Sequence, residues 1–198
     1  MWSNIEKGFT SDNYNTSGLD SGKDEVLQYN DITITLTTTD NQKNNENINV
    51  TTIDFTECEN ILRDKYKIHT DKKIYLIKID VKQEFMKIPK IEYDVFCKLN
   101  GTNLIKLDLN YCSNAKIVLL IPAKITENLD QLNTSSKYYN DICYPATSNN
   151  KTDITLDDRK NEFILNNKTV CQEICDFSDY NYEIQKAKCS CKVRSSSN

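Results

Sequence analysis

Eight cysteines in a chain of 198 residues constrain the fold more than any other feature. They are Cys58, Cys97, Cys112, Cys143, Cys171, Cys175, Cys189 and Cys191, and half of them fall between positions 171 and 191. The number is even, so in an oxidising compartment it reads as four bridges. In a reducing one it would read as zinc ligands or buried thiols. The oxidised reading is adopted here.

The C-terminal four have a specific spacing, Cys171-x3-Cys175 followed by Cys189-x-Cys191. Thr169-Val170-Cys171-Gln172 has capping-box spacing, which predicts a short helix from Val170. On it Cys171 and Cys175 share a face with Cβ atoms about 6 Å apart. Ala187, Cys189, Cys191 and Val193 alternate with Lys186, Lys188, Ser190 and Lys192, which predicts a strand carrying both thiols on one side about 7 Å apart. The spacings match, so Cys171–Cys189 and Cys175–Cys191 are the expected bridges. Each closes a loop that would contribute about 3 kcal/mol, mainly by restricting the unfolded chain. These cysteines are therefore read as structural rather than catalytic.

This constellation resembles the cystine-stabilised αβ motif of defensins and scorpion toxins, over residues 169–193 only. The third bridge and the Gly-x-Cys element of that family are not evident. Another disulfide pattern, such as an EGF-like closing loop, and a zinc site stay open as alternatives. Cys97 and Cys112 are each expected to bridge to Cys58 or Cys143, and they are not expected to pair with each other.

Residues 1–24 lack periodicity and read as a disordered tail. Asp31 to Thr37 alternates Ile32, Ile34 and Leu36 against three threonines, a half-buried strand with a threonine outer face. Asp40 to Asn49 reads as a polar loop. Thr56-x-x-Glu59 predicts a helix start, with Cys58, Ile61, Leu62 and Tyr66 inward and an end near Lys67.

Three strands follow: Lys73 to Lys82 with Tyr75, Ile77, Ile79 and Val81 on one side; a strand after Pro89 with Ile91, Tyr93, Val95 and Cys97 inward; and Leu104 to Tyr111 with Ile105, Leu107, Leu109 and Tyr111 inward. A two-residue turn between the last two would set core residues opposite solvent residues. A three-residue Leu99-Asn100-Gly101 loop is therefore expected, pairing Val95 with Ile105 and placing Gly101 at a left-handed position. Lys116 to Ile121 reads as a central strand closed by Pro122. Asn128 to Asn140 reads as loop with at most one helical turn, and Thr155-x-x-Asp158 as the start of a short helix ending near Asn166. The expectation is an α+β, mainly β fold: an antiparallel sheet or sandwich with one or two short helices (residues 25–139), then a small disulfide-rich αβ module (140–194).

Signals for chemistry are weak. A net charge of −4 without a basic cluster speaks against nucleic-acid binding, which needs grouped cations, and against polybasic membrane attachment. His69 is the single histidine, so a Ser-His-Asp or Cys-His machine would depend on this turn residue. No nucleotide, EF-hand or zinc-protease motif is present. Asp157 and Asp158 suit the first turn of a helix, where the macrodipole favours anions. The expectation is a protein that is not an enzyme, with no catalytic residue, cofactor or metal. Among its tyrosines, Tyr138, Tyr139, Tyr180 and Tyr182 are candidates for an aromatic contact patch.

Sequons at Asn15, Asn49, Asn100, Asn133, Asn150 and Asn167 are compatible with secretion; a chain this rich in Asn, Ser and Thr also generates several by chance. Met1 to Asn30 has no apolar segment of signal-peptide type, and the longest apolar stretch, Ile117 to Ile121, is far too short to cross a bilayer. The chain is therefore expected to be a fragment whose leader and anchor lie outside it.

The cadence Tyr138-Tyr139-Asn140-Asp141-Ile142-Cys143-Tyr144, then Thr152-Asp153-Ile154-x-Leu156-x-Asp158-Arg159-Lys160-x-Glu162-Phe163, Cys171-x3-Cys175-Asp176-Phe177 and Cys189-Ser190-Cys191, resembles large Asn-rich, cysteine-containing surface proteins of protists with AT-rich genomes. Lys87-Ile88-Pro89-Lys90-Ile91-Glu92-Tyr93 fits the same pattern, so the resemblance spans about residues 50–192. It implies an ectodomain region of a membrane protein at the cell surface, binding an unknown protein or glycan partner and touching the membrane only through segments outside this chain. The alternatives are a secreted effector or inhibitor on a disulfide scaffold, and an intracellular zinc or redox protein.

Overall fold

The computed structural model describes residues 2–82, 88–99, 101–125, 128–133, 135–148, 150–165, 170–172 and 174–193. Two antiparallel sheets carry the fold. The first contains β1 (Glu25–Tyr29), β2 (Ile32–Thr38), β4 (Ile74–Val81), β5 (Lys90–Cys97) and β6 (Ile105–Lys106), in the spatial order β1-β2-β4-β5-β6. The second contains β3 (Thr52–Asp54), β7 (Lys116–Pro122), β8 (Cys175–Asn181) and β9 (Lys186–Lys192), in the order β3-β7-β9-β8. This is the mainly β, α+β architecture read from the sequence, with short helices added around the sheets.

The register of β4 against β5 explains the layering. Ile77 sits opposite Asp94, and Leu76 opposite Val95. The face holding Tyr75, Ile77 and Ile79 is therefore not the face holding Ile91, Val95 and Cys97. Both faces of the sheet are apolar and both need cover. On the inner face, Leu76, Ile91 and Val95 pack with Ile53, Phe55, Leu62, Ile117, Leu119 and Ile121 from the second sheet and α4 (Thr56–Tyr66). On the outer face, Ile34, Leu36, Tyr75, Ile77 and Phe96 pack with Phe9 and Leu19.

Residues before position 25 are therefore structured rather than a tail. They form α1 (Trp2–Phe9) and α2 (Ser17–Asp20), with Phe9 1% and Leu19 0% exposed. The Tyr75 hydroxyl donates to Asp20 at 2.7 Å and holds the segment down. Trp2, Ile5 and Phe9 recur at helical spacing over two short turns, and Phe9 with Leu19 suffices as a lid.

The inner cover also buries Thr35 and Thr37, which were expected to face solvent. Asp94, likewise expected outside, is 1% exposed on the outer face, where Lys106 reaches it.

Other local expectations shift. The predicted 104–111 strand reduces to β6, because Asp108 Oδ1 accepts from Asn110 N and starts a 3-10 turn at Leu109–Cys112. Ile105 and Tyr111 are consequently exposed, whereas Leu107 and Leu109 are buried. The pairing is Cys97 with Ile105, two residues along from the expected register. That shift preserves which residues share a face and lengthens the connection. Gly101 has φ +111, and Asn100 lies outside the described residues.

The α4 start is capped from Asp54, whose Oδ1 accepts from Thr56 N at 2.8 Å, and not by Thr56. The helix ends at Tyr66, with Lys67 left-handed at φ 54. Within the expected loop at 40–49, α3 (Thr39–Lys43) forms, and Thr38 caps it. The region before the last cysteines holds a 3-10 turn at Leu129–Leu132, α5 (Lys137–Asn140) and α6 (Leu156–Leu165). Thr155 and Asp158 cap α6 reciprocally; Asn166, its expected end, lies outside the described residues.

The C-terminal disulfide-rich part of the chain is built onto the second sheet. β9 pairs with β7 along its whole length, Lys116 with Lys192 through Pro122 with Lys186. Cys171, Cys189 and Cys191 belong to the same core as Leu76 and Val95. The apolar side of the β9 alternation finds its cover on the inner face of the first sheet.

Candidate functional site

Three disulfides cross-link the described residues: Cys58–Cys112, Cys171–Cys189 and Cys175–Cys191. The first ties α4 to the 3-10 turn ahead of β7. The other two have the partners that the spacing suggested, but not the expected secondary structure. Residues 170–172 are not helical, Thr169 lies outside the described residues, and Cys175 opens β8. Cys175 lies directly across from Cys191, with Cα atoms 4.0 Å apart. Backbone pairing with β9 satisfies this segment as a ladder, where opposed Cβ atoms come close enough to bridge. The αβ arrangement is thus replaced by a cross-linked hairpin.

Cys97 and Cys143 are both free, against the expectation of a fourth bridge. Cys97 is 0% exposed, and its thiol donates to the Lys73 carbonyl at 3.5 Å. Burial pushes this thiol up from its ordinary value, despite the opposing pull of Lys72 and Arg63. Cys143 is exposed in the turn after α5.

Of the four candidate contact tyrosines, three are interior groups. Tyr138 and Tyr139 are each 3% exposed and stack edge-on at 4.8 Å. Tyr180 is buried, and its hydroxyl donates to the Ala123 carbonyl at 2.8 Å. Only Tyr182 stands in solvent. Among the sequon asparagines, Asn15, Asn49 and Asn150 are exposed, and Asn133 is half-buried with its Oδ1 accepting from Ser135 N. Asn100 and Asn167 lie outside the described residues. His69 is an exposed turn residue, its Nδ1 2.5 Å from Asp71 Oδ1; that contact is the main cause holding the Asp71 carboxyl below its usual range. Among the described residues no three His, Cys, Asp or Glu side chains are grouped to hold a metal ion.

A recess that the sequence did not announce is a groove of about 510 Å3 beside β1. One wall is the inner face of the β1–β2 hairpin, with Val26, Gln28, Thr33 and Thr35. The other is the loop carrying Asn45, Asn47, Asn49 and Thr51. That loop is stiffened by its own side chains: Asn47 N donates to Asn45 Oδ1, and Asn49 N to Asn47 Oδ1. Lys78 ties the two walls together. It is 0% exposed on β4, opposite Thr35, and its Nζ donates to the Thr51 carbonyl at 2.5 Å while pairing with Asp80 Oδ2 at 2.9 Å. The signal that could have found this site is Lys78 itself. A lysine inside an otherwise apolar strand must find a buried acceptor.

The groove offers amide, hydroxyl and carboxylate groups. Among its described lining residues the carboxylates are Asp24, Asp31 and Asp80, and the cation is Lys82. This equips it for hydrogen bonding and for accepting positive charge. Comparison with known protein families, with curated proteins and with solved structures finds no match to this chain.

Proposed function

We propose that the chain is a non-enzymatic interaction module of an extracellular or cell-surface protein. The observation that carries the reading is the set of three disulfides, two of them stapling β8 and the segment before it onto a central strand. Bridges of this kind persist in oxidising compartments, and they hold the second sheet rigid beside the first, whose edge strand β1 is exposed. No helix among the described residues is long and apolar enough to cross a membrane, so on this reading any anchor lies elsewhere in a longer protein. The exposed sequon asparagines fit a glycosylated surface.

Intact mass under denaturing, non-reducing conditions with thiol alkylation tests the reading on protein recovered from a secretory host. Two alkylated thiols out of eight support it. Eight alkylated thiols with unchanged thermal stability would place the chain in a reducing compartment and remove the basis for a surface role.

A further inference from the structure

The outer edge of β1 is open. β1 stands at the end of its sheet, all five of its residues are exposed, and among the described residues no strand pairs with its far side. Open edges are normally blunted by lysine, proline, a bulge or a covering element. β1 reads Glu-Val-Leu-Gln-Tyr, with Glu25 its sole charge, and Val26, Leu27 and Tyr29 are 59%, 38% and 48% exposed.

The hairpin geometry says which backbone groups are free. Tyr29 faces Ile32 across the two-residue Asn30-Asp31 turn, with Asn30 at φ 46. The closing pair of such a turn is hydrogen-bonded, and bonded and non-bonded pairs alternate along the ladder. Tyr29, Leu27 and Glu25 therefore bond to β2. Val26 and Gln28 direct their N–H and C=O groups outward. The side chains of the same two residues line the groove, so unpaired backbone and a recess for side chains lie side by side.

The charge of the site selects the occupant. Asp80 is matched by Lys78, which leaves Asp24 and Asp31 against the exposed Lys82 among the described residues that line the groove. A second copy of β1 would bring the same acidic groups and no cation. We propose that this edge takes an extended, lysine- or arginine-bearing peptide segment of a partner protein by strand addition, its backbone bonding to Val26 and Gln28 and alternate side chains entering the groove. The proposal deepens the reading of the chain as an interaction module and rests on it.

The test uses the full oxidised chain and three labelled synthetic peptides in fluorescence anisotropy. One alternates threonine and valine with three lysines, one replaces the lysines by glutamates, and one carries a central proline in the lysine peptide. The lysine peptide should bind, the other two should bind about tenfold more weakly or not at all, and added salt should weaken the contact. Val26→Pro removes an outward N–H without touching a β1–β2 bond and should abolish binding. Asp31→Asn, which keeps a turn-forming side chain at an exposed position, should weaken it. Equal binding of lysine and glutamate peptides, undiminished binding by Val26→Pro, or a dimer of the free chain that Val26→Pro dissolves would overturn the proposal. A chain with six bridged cysteines that ignores all three peptides refutes strand addition alone and leaves the surface-module reading standing.

Discussion

Lys106 Nζ lies 2.8 Å from Oδ2 of Asp94, a carboxylate only 1% exposed, and 3.2 Å from Glu6 Oε1 in the N-terminal helix. The partners come from three separate elements, and the other Asp94 oxygen is buried without a hydrogen-bond partner. Burial alone would lower the Lys106 pKa, but Asp94 first and Glu6 second raise it above the ordinary 10.5. A lysine raised in the folded state stabilises fully below its unfolded value, and that stability is lost as pH rises through the folded value. Lys106→Met, which strands Asp94, should cost about 2 kcal/mol, discounted from the full buried-pair value because Lys106 is partly exposed. Urea titrations should show this cost steady up to about pH 10.5 and shrinking above it.

Phe9 tests whether the N-terminal segment belongs to the fold. Its ring meets Tyr14 at 4.8 Å and Phe96 at 5.3 Å, both edge-on. Phe9→Ala should cost about 3 kcal/mol in chemical denaturation, the usual loss for a buried ring. A change within about 0.5 kcal/mol would mean the segment behaves as a surface tail.

What the sequence made legible was local. The alternation through Cys189 and Cys191 located β9 and put both thiols inward, because a strand's period and a cysteine spacing can both be read within ten residues. The faces of β4 and β5 were each identified, but their register was not, so the need for cover on two sides stayed hidden. Thr35 and Thr37 looked like an outer face because a threonine stripe usually is one. Here the chain from α3 to Thr51 closes over it: Gln42 donates to Thr37 Oγ1, and Lys78, brought in by β4, holds the Thr51 carbonyl. The groove was invisible for the same reason. Its walls, Val26 to Gln28 and Asn45 to Thr51, meet only after β4 has brought Lys78 between them.

The two free thiols should differ sharply in reactivity. Cys143 is exposed, whereas Cys97 is buried with its thiol pKa raised, and thiolate and access together set alkylation rates. Iodoacetamide on the native, unreduced protein should modify Cys143 alone. Guanidinium without reductant should then release Cys97. Modification of Cys97 in native protein at the rate of Cys143 would contradict the packing around Lys73.

The three bridges should contribute unequally. Cys58–Cys112 spans 54 residues and Cys171–Cys189 spans 18. On loop-closure entropy, replacing both cysteines by serine should cost about 4 kcal/mol for the first pair and about 3 kcal/mol for the second. Paired denaturation curves of the two double variants give the order directly, and the reverse order would mean that the unfolded chain is not governed by loop length.

Lys186 should behave in the opposite sense to Lys106. It is 2% exposed at the start of β9, opposite Pro122. Burial pushes its pKa down first, and the neighbouring Lys78 cation lowers it further. A lysine whose folded pKa lies below its unfolded value destabilises the fold while both states are charged. The penalty is relieved as pH rises through the lowered value toward 10.5; the unfolded chain binds the extra proton across that window, so stability climbs with pH there. Lys186→Met keeps the aliphatic bulk and removes the charge, and it should raise stability by about 1 kcal/mol at neutral pH. The gain should fade as pH approaches 10.5 and vanish above it. A loss of stability at neutral pH would show instead that the Lys186 ammonium is doing structural service where the β7–β9 pair ends.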